Sequence, residues 1–136
     1  MTLLIHALAI LAALAGSCVV GFVWYGPLFG KRWMAYTGIK ESNKKAKANM
    51  KKYMFQNMLF SFISILVLAS VISFGNFTEL FQVIFIIILS WIMFTVPAVM
   101  APNIWEQKSF GLGMINIFAS LCSFLVSGVI LFLFLG

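Results

Sequence analysis

The sequence predicts an all-α polytopic membrane protein: a bundle of four transmembrane helices, with a short basic interfacial helix between spans 1 and 2. Three observations predict it. Apolar residues make up 63% of the 136 residues and charged residues 9%, whereas a soluble domain carries roughly a quarter charged. Those apolar residues fall into four runs, each close to the ~20 residues that cross a bilayer as a helix. The basic residues are clustered, eight of the nine lying between Lys31 and Lys52 and the ninth at Lys108. The net charge of +6 is therefore a local patch, which suits anionic lipid headgroups and argues against nucleic acid.

Span 1 is expected over residues 3–25. Small residues recur along it at helical spacing, with Ala9, Ala13, Ser17 and Gly21 stepping by four. Because lipid gives no hydrophobic drive between helices, such a stripe predicts a close-packing face, shared with another span or with a second copy. A secretory signal peptide is disfavoured, since no Lys or Arg precedes the run and it continues past Cys18 to Tyr25. Cys18 and Cys122 form no CxxC pair and are expected to be ordinary small buried residues.

The pair Trp24-Tyr25 suits the headgroup level, and Gly26-Pro27 should break the helix there. The segment LFGKRWMAYTG then predicts a short interfacial helix, with Leu28, Phe29, Trp33 and Tyr36 dipping into the headgroups and Gly38 ending it. Ser42 can cap the following helix, a basic ramp in which Ala46, Met50 and Met54 form a thin apolar stripe. Lys31, Arg32, Lys44, Lys45, Lys47, Lys51 and Lys52 are the expected headgroup contacts.

Span 2 is expected over 53–74. In the turn GNFTE, Thr78 should be the N-cap and Glu79 should stand in the first turn of span 3, expected over 80–101. The core of span 3, VIFIIIL, would suggest a strand in water; in hydrocarbon an isolated strand leaves its backbone groups unpaired, so helix wins. Pro97 should kink its last turn and Pro102 should stop it. Span 4 is expected over 112–135. Loops 1 and 3 hold every Lys and Arg, which predicts that they face the cytoplasm, that both termini lie outside, and that the host is the cell (inner) membrane.

The two hairpins invite comparison. Each first span ends in a small residue and proline, Gly26-Pro27 and Ala101-Pro102, and each second span opens with a polar string: Asn57, Ser61, Ser64 and Asn116, Ser120, Ser123. A duplication would place Asn57 and Asn116 at matching depth about an axis along the membrane normal. The alternative is that serine simply recurs because it is common and harmless in a helix. The block Trp24-Tyr25-Gly26-Pro27-Leu28-Phe29-Gly30-Lys31-Arg32-Trp33, with Trp105-Glu106-Gln107-Lys108-Ser109 and Ile115-Asn116, resembles the DUF1761 family of small membrane proteins of unknown function. The resemblance covers nearly the whole chain, implies four spans and supplies no activity.

No catalytic constellation is legible. His6 is the only histidine, and Glu41, Glu79 and Glu106 are the only acids, all at span ends or in loops. Neither a metal site nor a cofactor is expected, and the chain does not read as an enzyme. What remains is uncharged polarity inside the spans. Asn in hydrocarbon needs a partner, which makes Asn57 and Asn116 either packing residues or, with Tyr25, Glu106 and Lys108, the lining of a polar pocket. Two functions follow. The first is a non-catalytic membrane protein that packs or organises partners and lipids as a homodimer or higher homo-oligomer. The second is a small transporter or channel whose polar pocket opens to the cytoplasm.

Overall fold

A computed structural model describes residues 2–37 and 44–135. Helix α1 (Thr2–Val23) continues through a π turn (Trp24–Leu28) and is followed by α2 (Gly30–Thr37). Next come α3 (Lys44–Phe74) and α4 (Leu80–Ser90), which runs through a second π turn (Trp91–Thr95) into α5 (Val96–Trp105). The last element is α6 (Phe110–Leu135). Among the described residues four stretches are long and apolar enough to cross a membrane: Leu3–Leu28, Phe55–Phe74, Leu80–Trp105 and Phe110–Leu135. The expected helix end at Gly38 and cap at Ser42 lie outside the described residues, as do the side chains of Lys44, Lys45, Lys47 and Lys51.

The prolines behave differently from expectation. Gly26-Pro27 does not break span 1, because the chain widens into a π turn there, closed by a bond from Phe29 N–H to the Trp24 carbonyl at 2.9 Å. A wider turn absorbs both the missing proline N–H and the bulk of its ring. Ahead of Pro97 the same device appears as the second π turn. Nor does Pro102 stop span 3. It removes only its own N–H, while its carbonyl still accepts from Glu106 N–H at 2.8 Å, and the helix runs on to Trp105.

Two further expectations shift. Glu79, not Thr78, is the N-cap of α4, and the Gln82 carbonyl oxygen accepts from the backbone N–H groups of Thr78 (3.0 Å) and Glu79 (3.3 Å). Glu79 is one residue later than expected because the reach of Gln82 fixes the first turn. Cys18 faces out of the bundle, and Cys122 is half-buried; both are free thiols. Cys18 adjoins Ser17 and so points away from the face that packs.

Helix α6 is the hub. It lies between α1 on one side and α4 and α5 on the other, and it also touches α3, which rests on α1. Helices α1 and α6 run antiparallel: a Cβ at Gly16 would meet Val126 and Ile130, the Ser17 and Ser123 hydroxyls hydrogen-bond, and Trp24 reaches Ile115. The core joins Ala9 and Ala13 of α1, Ile65, Ala69 and Ile72 of α3, Val83 and Ile87 of α4, and Leu131 of α6. Small residues matter here because close backbone approach, rather than water exclusion, is what holds helices together in lipid. The stripe Ala9, Ala13, Ser17 is accordingly buried within the chain, which removes it as a face for a second copy. Gly21 lies past its useful end, with nothing within 4 Å of an added Cβ.

Candidate functional site

Three successive carbonyls of α6 each take a side-chain donor. The Trp24 indole N–H donates to the Ile115 carbonyl at 3.0 Å, the Ser120 hydroxyl to the Asn116 carbonyl at 3.2 Å, and the Trp91 indole N–H to the Ile117 carbonyl at 2.7 Å. Residues two apart on a helix point about 200° apart, so the two tryptophans arrive from nearly opposite sides. Each tryptophan is also the first residue of a π turn. Such turns gather at functional sites.

The Tyr25 hydroxyl donates to Asn116 Oδ1 at 2.8 Å, so the Asn116 side chain has a partner inside the membrane. Trp33 packs edge-on against Tyr25, with ring centroids 6.0 Å apart, and the Tyr36 ring sits over Gly111. Helix α2 is thereby folded back against the N-terminal end of α6. Asn57 is placed differently: it is exposed on α3, and no hydrogen bond joins it to Tyr25 or Asn116. The matching depth expected of a duplicated hairpin therefore brings no matching role, since α6 is enclosed on several sides and α3 is not.

Glu106 and Lys108 form an exposed ion pair at 2.8 Å in the loop between α5 and α6, and an exposed pair contributes at most about 1 kcal/mol. Beneath it lies Asn103, which sequence reasoning did not single out. It is 6% exposed and donates from Nδ2 to the Ser109 carbonyl at 3.0 Å, pinning the loop to the start of α6. The signal available in advance was a lone Asn one residue after Pro102.

The described cavity lies elsewhere. A groove of about 350 Å³ opens between α3 and α4. Ile63, Ser64, Val67, Leu68 and Val71 form one wall. Ile86, Ile87, Ser90, Trp91, Phe94 and Thr95 form the other, with Phe124 of α6 as floor. The groove exists because α3 and α4, though joined by a five-residue turn, each pack on α6 more than on each other. It is overwhelmingly apolar, yet hydroxyls stand on both walls. Ser70 bonds back to the Leu66 carbonyl and Ser120 to the Asn116 carbonyl, the usual resting place for a serine in a membrane helix. Among the described residues Ser64, Ser90 and Thr95 have no such partner.

A family model described as a protein of unknown function, DUF1761, matches residues 8–132. No curated protein and no solved structure matches the chain.

Proposed function

From the premise that this chain belongs to the DUF1761 family, whose function is unknown, we propose that it is a non-catalytic integral membrane protein that works by holding an apolar partner within the bilayer. The observation that carries this is the groove between α3 and α4, whose volume falls in the range of small-molecule pockets. Because its walls are membrane-spanning helices, only a lipid-soluble occupant reaches it. The polar alternative loses ground where the Tyr25 hydroxyl already takes Asn116 Oδ1 and where Glu106 is paired with Lys108 in the loop.

The basic end lies at the cytoplasmic surface of the cell membrane, with both termini outside. Lys31, Arg32 and Lys52 are exposed at that end, and each contributes about 1 kcal/mol against an anionic leaflet. Anionic lipid is therefore the first partner. A homo-oligomer would need a face other than the Ala9, Ala13, Ser17 stripe, which α6 and α3 already cover.

The test is photolabelling in nanodiscs with a phosphatidylcholine carrying a diazirine on one acyl chain. Label should concentrate on groove residues such as Val67 and Phe94, and Val67→Trp should remove most of it. Even labelling of outward residues such as Phe60 and Phe81 would defeat the reading.

A further inference from the structure

The hydroxyls of the groove specify more than an acyl chain. Ser64 is the tenth residue of the twenty in Phe55–Phe74, and Ser90 the eleventh of the twenty-six in Leu80–Trp105. Both therefore stand near the middle of the bilayer, on opposite walls of one cavity. An unpaired hydroxyl in hydrocarbon costs free energy, and serine ordinarily escapes by bonding to the carbonyl one turn back, as Ser70 and Ser120 do. Among the described residues Ser64, Ser90 and Thr95 do not, and neither do Ser61 and Ser73, which lie outside the groove. Three donors are thus held ready where lipid offers no acceptor, since phospholipid esters and phosphates lie at the bilayer surface.

Beside these donors stand flat aromatic faces. Trp91 has its N–H engaged by the Ile117 carbonyl, which fixes the ring, and Phe94 and Phe124 complete the aromatic part of the lining. Among the described residues no charged side chain lines the groove, so the occupant is neutral. We propose that the groove binds a neutral lipid-soluble molecule that carries carbonyl acceptors on a flat unsaturated ring, the chemistry of an isoprenoid quinone. The ring lies against Trp91, Phe94 and Phe124; its carbonyls accept from Ser64 on one side and Ser90 or Thr95 on the other; its chain leaves through the open side of the groove into lipid. This rests on the groove being the working site and adds the class of its occupant.

The experiment uses the full chain in phosphatidylcholine nanodiscs, with decylubiquinone as probe and quenching of tryptophan fluorescence as readout, in a Trp33→Phe, Trp105→Phe background. Quenching should saturate. Ser64→Ala with Ser90→Ala should weaken the half-saturation point about tenfold without lowering the melting temperature, because neither hydroxyl bonds to the protein; Ser64→Thr should keep the affinity. Quenching that rises linearly with quinone content, or an unchanged midpoint in the double alanine variant, would overturn the proposal. If the diazirine lipid labels the groove while quinone fails to saturate, the quinone inference falls and the groove stands. If neither occupies it, both fall.

Discussion

Trp24 and Trp91 hold the same helix from two sides, donating their indole N–H groups to the carbonyls of Ile115 and Ile117 and leaving Asn116 between them. Each stands at the start of a π turn, one in span 1 and one in span 3. The likeness between the two halves of the chain thus lies in these tryptophans, not in the pairing of Gly26-Pro27 with Ala101-Pro102 that the sequence suggests. Hydrogen bonds between membrane helices average about 0.6 kcal/mol and reach roughly 1.7. Trp24→Phe and Trp91→Phe should each lower stability by about 1 to 2 kcal/mol, bond and lost ring contact together. Steric-trap unfolding in bicelles reads this directly, and a value near zero for both would mean that the contacts are incidental.

The Tyr25 to Asn116 bond can be separated from its surroundings by a double-mutant cycle. Tyr25→Phe and Asn116→Leu, alone and together, should show a coupling of about 0.5 to 1.5 kcal/mol. The same measurement on Tyr25 and Asn57 should give none, because no bond joins them. Coupling of equal size in both pairs would restore the shared polar pocket.

Two glycines of span 1 should respond oppositely. A Cβ at Gly16 would lie 2.8 Å from Ile130 and 3.0 Å from Val126, whereas at Gly21 it would meet nothing. Gly16→Leu should therefore destabilise by about 1 to 3 kcal/mol through overpacking against α6. Gly21→Leu should leave thermal stability in detergent unchanged.

The four spans were legible because a bilayer demands a run of apolar residues, and nothing local competes with that demand. The small-residue stripe was legible as a packing face, but its partner was not: Ala9 and Ala13 carry no mark that distinguishes α6 of the same chain from a second copy. Pro27 and Pro102 misled, since a π turn takes up the first and the second costs the helix only its own N–H, and neither outcome is marked in the local sequence. The groove was invisible for a similar reason. Adjacent spans joined by a short turn suggest close neighbours, and only the packing of α3 on α1 and α6, and of α4 on α6, decides that the two stand apart. Ser64 and Ser120 look alike in the sequence, yet one faces the groove and the other bonds to its own helix.

Orientation is open to direct measurement. With Cys18 and Cys122 replaced by Ala, a single cysteine at Asn76 should react with a membrane-impermeant maleimide in sealed cells. One at Lys108 should react only after permeabilisation. The reverse pattern would place the basic end outside and remove the anionic-lipid contact with it.

The end of α5 carries a stored cost that one substitution should relieve. Gln107 N–H donates to the Ile104 carbonyl and Lys108 N–H to the Asn103 carbonyl, both at 3.0 Å, which is the Schellman pattern of bonds. That pattern places the residue just past the helix in the left-handed region, and Gln107 has φ of 56°. Glycine is the usual occupant because a Cβ there crowds the following carbonyl, at about 1 to 2 kcal/mol. Gln107→Gly should raise stability, by somewhat less than that figure because glycine also loses more freedom on folding. Gln107→Val should lower it, since a β-branched side chain suits this region worst. Thermal unfolding in one detergent should rank the three as Gly above Gln above Val. Any other order would mean that the loop relaxes out of this turn, in which case the Asn103 to Ser109 bond would be lost with it.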